Sequence, residues 1–90
     1  MKFVRTPLNG CYIVEPQVFS DERGHFFESF NLQKFRSATG VLSNFVQDNH
    51  SYSTAKVLRG LHYQVEQTQG KLVRVVSGAV WDVAVDLRRS

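Results

Sequence analysis

The sequence predicts a mainly β domain, an antiparallel sandwich or barrel with one short helix. Three observations predict it. Five or six short apolar or alternating runs are separated by turn residues. Two valine-rich runs, GKLVRVV and AVWDVAVDL, flank Ser77–Gly78, a dipeptide suited to a tight hairpin. Only one stretch carries helix punctuation at both ends.

Taken in order, CYIVEPQVF reads as one strand, with Pro16 confining it to a sheet edge or a bulge because proline cannot donate to a ladder. SDERG follows as a turn. Ser20 and Asp21 can bond to nearby backbone, and Gly24 permits positive φ. HFFESF is aromatic and extended. In NLQKFRSATG, Asn31 can cap a first turn, Leu32 and Phe35 fall at i and i+3, and Gly40 can end the helix. SNFVQDNHSYS alternates, placing Phe45, Gln47, Asn49 and Ser51 on one face and Asp48, His50 and Tyr52 on the other. VLRGLHYQ is the next strand. In the last one, Trp81, Val83, Val85 and Leu87 share a face opposite Asp82, Ala84 and Asp86.

Ninety residues make a single domain, 1–90. The net charge of +3 is spread along the chain, with no like-charge run longer than Arg88–Arg89. A nucleic-acid surface would need a cluster, so the composition suits a mildly basic surface or a small anionic ligand. Cys11, the one cysteine, can form no internal disulfide, which favours a reducing compartment. MKFVRTPLNG lacks the apolar stretch of a signal peptide, and no segment approaches about 20 apolar residues. These features predict a cytoplasmic protein with no membrane partner.

Polar residues on predicted strands carry the chemistry. Arg59 and His62 in VLRGLHYQ have opposite parity, so a regular strand would send them to opposite faces. Either one of them is a surface residue, or the strand is bulged or twisted at Gly60 and brings both to one side. His62 titrates near neutrality and suits a general base. Lys71, after Gly70, is a solvated cation or the neutraliser of an enolate or a phosphate. The three histidines form no H-x-H pair, and a lone His62–Glu66 pairing is too weak for a metal. Neither a metal nor a cofactor is expected.

Four stretches, FSDERGHFFESFN, FVQDNHSYS, VLRGLHYQ and QGKLVRVVSGAVWDVAVDLR, together resemble the dTDP-4-dehydrorhamnose 3,5-epimerase family. The resemblance runs from about Val18 to the last residue and covers the first half of the family's chain. It implies a cupin-like jelly roll, incomplete here, working as a homodimer on a dTDP-4-keto-6-deoxy sugar in the making of rhamnose-containing polysaccharide. By motif, His62 resembles the proton-abstracting base and Lys71 the lysine near the sugar ketone. Arg23 and Arg59 resemble the arginines that hold the substrate, a role suited to the planar guanidinium fork. Phe26, Glu28, Gln47, Asp48 and Asn49 resemble further substrate-pocket residues. The family's proton-donating tyrosine, and the aspartate paired with its base, belong to the second half. Whether Asp82 or Asp86 polarises His62 is for the geometry to show. The alternative implied is an inactive nucleotide-sugar-binding fragment.

Overall fold

A computed structural model describes residues 1–89. It contains four strands in two small antiparallel sheets and one helix: β1 (Lys2–Arg5), β2 (Tyr12–Glu15), β3 (Val18–Asp21), β4 (Gly24–Phe27) and α1 (Leu32–Thr39). The chain divides into two units, Met1–Gln47 and a second that begins at Asp48.

In the first unit, β1 pairs with β2 in the register Lys2↔Glu15 through Arg5↔Tyr12. The connection is stitched by Thr6, whose hydroxyl donates to the Cys11 carbonyl at 2.8 Å and accepts from the Leu8 N–H at 3.2 Å. β1 is an element the sequence reading does not identify. The signal for it was Asn9–Gly10, a turn dipeptide between KFVR and YIVE, and Gly10 does adopt φ +84°.

The single strand expected across Cys11–Phe19 is instead two. β2 ends at Glu15, β3 begins at Val18, and Pro16–Gln17 carries the chain from one sheet to the other. Proline offers no N–H to a ladder, so pairing stops there and resumes with a different partner. The SDERG turn forms as predicted: β3 and β4 pair from Val18↔Phe27 to Asp21↔Gly24, with Glu22–Arg23 at the tip. Gly24 sits at φ +137°, a conformation closed to side-chain-bearing residues.

The helix also forms as predicted. Asn31 is extended, at φ −145° and ψ 116°, and its Oδ1 accepts from the Lys34 N–H at 3.0 Å. Gly40 closes the other end at φ +73°, its N–H donating to the Arg36 carbonyl at 2.9 Å. Phe35 is the anchor. Its ring centroid lies 6.2 Å from Phe3, 5.9 Å from Phe30 and 5.3 Å from Phe45. Phe30 and Phe45 close the cluster edge-to-face at 5.6 Å. Among the described residues none is fully buried, so this half-covered cluster is the packing centre of the unit.

In the second unit the described residues form no strand ladder. The strands expected over SNFVQDNHSYS, which straddles the boundary between the units, VLRGLHYQ and the Ser77–Gly78 hairpin are corrected: none of the described residues there lies in a strand ladder, and Gly78 is in a bend at φ +83°. Alternation marks a segment fit for a sheet, but a strand exists only through a partner's backbone, and a two-stranded hairpin is marginal in water without a covering layer. The fold as described is mainly β with one short helix.

Candidate functional site

The candidate residues are shared between the units. Arg23, Phe26, Glu28 and Gln47 belong to the first, and Asp48, Asn49, Arg59, His62 and Lys71 to the second.

Arg23 sits at the tip of the β3–β4 turn because Asp21 holds it there. The Asp21 carboxylate accepts the Arg23 N–H at 2.9 Å through Oδ1. Its Oδ2 accepts from Nε at 3.2 Å and from Nη2 at 2.7 Å. This guanidinium contact, then the backbone one, lowers the Asp21 carboxyl below its ordinary range. Phe26, one strand later, pairs across the hairpin with Phe19, and both rings stand exposed. Glu28 leaves β4 and meets the start of α1. Its two oxygens accept from Lys34 Nζ at 3.0 Å and from Asn31 Nδ2 at 3.2 Å. Lys34 chiefly, and Asn31 after it, pull its carboxyl down.

A groove of about 620 Å³ opens between the β1–β2 sheet and α1, lined by Phe3, Arg5, Tyr12, Lys34 and Ser37 among others. Arg23, Phe26 and Glu28 do not line it.

In the second unit, Arg59 bends back onto its own chain. Its Nε donates to Ser53 Oγ at 2.9 Å and its Nη2 to the Tyr52 carbonyl at 3.1 Å. Gly60 lies at φ +117° and is followed by a cis peptide to Leu61. The positive φ of Gly60 takes it out of extended-strand geometry. A bulge is not defined, because no partner strand runs beside it. A Cβ on Gly60 would meet the His62 amide nitrogen at 3.6 Å and Nδ1 at 3.7 Å, ordinary contacts, so the glycine answers to φ rather than to space. His62 and Lys71 are exposed, and neither has a hydrogen-bond partner among the described residues.

Of the two carboxylates weighed against His62, Asp86 has another partner. The Asp86 carboxylate is taken by Arg88, which donates from its backbone N–H at 3.0 Å, from Nε at 2.9 Å and from Nη2 at 2.8 Å. That contact holds the Asp86 carboxyl at about 2 and raises Arg88. The same Asp-x-Arg device thus occurs at 21–23 and at 86–88. The spacing is visible in the sequence, although its consequence, that each arginine is met by its own aspartate, is not drawn there. Among the described residues no three His, Cys, Asp or Glu side chains converge as a metal site, and no helix is long and apolar enough to cross a membrane.

Comparison with known proteins gives the class first. A crystal structure from Elizabethkingia anophelis NUHP1, of a dTDP-4-dehydrorhamnose 3,5-epimerase, superposes with a TM-score of 0.51 at 59% identity. The likeness covers 54% of this chain and 27% of that one. Two small antiparallel sheets with one short helix, beside an epimerase as structural neighbour, are consistent with a partial cupin-like fold. A family model described as dTDP-4-dehydrorhamnose 3,5-epimerase matches residues 5–90, a range that includes parts of both units. Enzymes of that name are 57% identical over 89 residues in Pseudomonas aeruginosa, 58% over 91 in Shigella flexneri and 54% over 89 in Methanothermobacter thermautotrophicus. The chain belongs to the dTDP-4-dehydrorhamnose 3,5-epimerase family. It spans about half the length of these relatives: 49%, 50% and 48% of each, against 99% to 100% of itself.

Proposed function

We propose that this chain contributes the base and the anionic-substrate anchors of an epimerase acting at C3 and C5 of a dTDP-4-keto-6-deoxy sugar. The observation that carries the reading is the family match through residues 5–90, which contains VLRGLHYQ and the lysine of QGK. A ketone at C4 acidifies the protons on C3 and C5, because the carbanion left behind delocalises into an enolate. His62 takes the proton as general base. The electron pair moves to the C4 oxygen, and the Lys71 ammonium stabilises the negative charge developing there. Arg23 and Arg59 bind the diphosphate, with Phe26, Glu28, Gln47, Asp48 and Asn49 around the rest of the substrate. The acid that returns a proton to the opposite face comes from the half of the relatives that this chain does not span.

The working assembly is a homodimer in the cytoplasm, in a pathway making rhamnose for a surface polysaccharide. This part of the reading rests on the family resemblance alone. The chain needs no metal or cofactor in this scheme, since the substrate's own ketone supplies the electron sink.

The test is to incubate the protein with the 4-keto nucleotide sugar in deuterated water and follow deuterium entry at C3 and C5. Exchange by the wild type, lost in His62→Ala, supports the reading; no exchange in the wild type sinks the catalytic claim. The second reading is an inactive nucleotide-sugar binder. It predicts thymidine diphosphate binding in calorimetry, weakened by Arg59→Ala, with no deuterium entry.

A further inference from the structure

We infer that Arg36 is a positioning residue: it clamps the chain that leaves α1 and so fixes where Gln47 enters the substrate site. The inference rests on the proposed role of Gln47 in substrate binding, and it is indifferent to whether the chain catalyses exchange. Between the end of the helix and Phe45 the chain is tied back to α1 repeatedly. The Gly40 N–H donates to the Arg36 carbonyl at 2.9 Å, and the Val41 N–H to Thr39 Oγ1 at 3.2 Å. Arg36 Nη2 then donates to the Leu42 carbonyl at 3.1 Å and to Asn44 Oδ1 at 2.6 Å. Phe45 ends the run, its ring centroid 5.3 Å from Phe35 and 5.6 Å from Phe30. Gln47 follows two residues later, at most about 7 Å further along the chain.

The bonding of Arg36 is that of a clamp. Both acceptors meet a single nitrogen, so the planar fork that suits a carboxylate or a phosphate is not used. Its Nε is buried without a hydrogen-bond partner among the described residues, and the half-buried guanidinium is held against 42–44 in spite of that loss. An ammonium placed where Nη2 lies can make both bonds and has no Nε to strand. Lysine should therefore serve at position 36, where it would fail at a forked contact with a diphosphate. That separates Arg36 from the substrate-holding role proposed for Arg23 and Arg59.

The experiment titrates the chain with the 4-keto nucleotide sugar by calorimetry. It compares the wild type with Arg36→Met, Arg36→Lys, Asn44→Ala, Gln47→Ala and the double variant Arg36→Met/Gln47→Ala. Helicity of α1 and backbone NMR order parameters over 42–47 are measured on each. Arg36→Met is expected to keep the helix, lower the order parameters and weaken binding about tenfold, the scale for hydrogen bonds from a charged group. Arg36→Lys should recover most of both losses. On the Gln47→Ala background Arg36→Met should cost nothing further, because a residue acting through Gln47 then has nothing to position. Equal losses with and without Gln47 overturn the inference. So do unchanged order parameters in Arg36→Met, a Gln47→Ala variant that binds like the wild type, or an Arg36→Lys variant as weak as Arg36→Met. If Arg36→Met lowers helicity, Asn44→Ala decides, since it lies outside the helix: binding and order parameters both unchanged there overturn the clamp. A wild type that binds no nucleotide sugar removes the proposed function, while lowered order parameters in Arg36→Met leave the clamp on 42–47 standing.

Discussion

The Arg23 guanidinium rests on the carboxylate of Asp21, Nη2 lying 2.7 Å from Oδ2, while Asp21 Oδ1 accepts the Arg23 backbone N–H at 2.9 Å. One carboxylate therefore shapes the turn and competes with any phosphate that Arg23 would bind. The two roles separate by mutation. Asn at position 21 keeps an oxygen for the backbone N–H but removes the charge. Asp21→Asn is expected to preserve the hairpin and to strengthen thymidine diphosphate binding a few-fold, an exposed ion pair being a weak competitor. Asp21→Ala is expected to loosen the turn and weaken binding. Calorimetry on both variants, with the exchange of the Gly24–Phe27 amides as the fold control, checks it.

Phe35 holds the first unit by touching Phe3, Phe30 and Phe45. Truncating a fully buried phenylalanine costs about 3–5 kcal/mol. Phe35 is only half-buried, so Phe35→Ala is expected to cost about 2 kcal/mol. The loss should appear in the denaturant midpoint read from α1 helicity. An unchanged midpoint would show that the aromatic cluster is not what holds α1 on its sheet.

The start of α1 is a pH-sensitive corner. Glu28 accepts from Lys34 Nζ and Asn31 Nδ2, and its carboxyl is lowered from the ordinary 4.5. A group depressed by folding stabilises the fold above its unfolded pKa and loses that contribution as pH falls through its folded value. Helicity is therefore expected to be level above about pH 5 and to decline below 4.5. Glu28→Gln should flatten the decline, and Asn31→Ala should lower helicity at every pH by removing the cap, at about 1 kcal/mol. Circular dichroism against pH reads both. A decline of the same size in Glu28→Gln would assign the effect elsewhere.

How much of this was legible in the residues depends on where each element finds its partner. The helix was readable because Asn31, Phe35 and Gly40 act within ten residues of one another. The β3–β4 turn was readable because Asp21 and Gly24 define it locally. The break at Pro16 was half-readable: proline announces an interruption, but not that the chain changes sheets. Residues 71–87 show the limit. Their alternation is plain, yet no ladder forms among the described residues, because a strand is a relation between two segments and the sequence of one does not supply the other. The candidate site divides in the same way. Residue types and motif order point to His62, Lys71 and Arg59, whereas the aspartates that occupy Arg23 and Arg88 follow from geometry.

The last prediction concerns Gly60, between the two polar residues of VLRGLHYQ. Its φ of +117° is closed to any residue with a Cβ, although the space around it is not: the nearest atoms to an added Cβ, on His62, lie at 3.6 and 3.7 Å. Gly60→Ala would thus force the backbone into another region rather than press on a neighbour, and the direction of His62 relative to Arg59 would change with it. With His62 as the base proposed above, Gly60→Ala is expected to lower deuterium exchange at C3 and C5 by a factor on the order of a hundred, the scale on which misplaced catalytic groups lose rate. Thymidine diphosphate binding should change only a few-fold. Equal losses in binding and exchange would mean that Gly60 serves the stability of the loop as a whole. Loss of exchange alone ties it to the aim of the base.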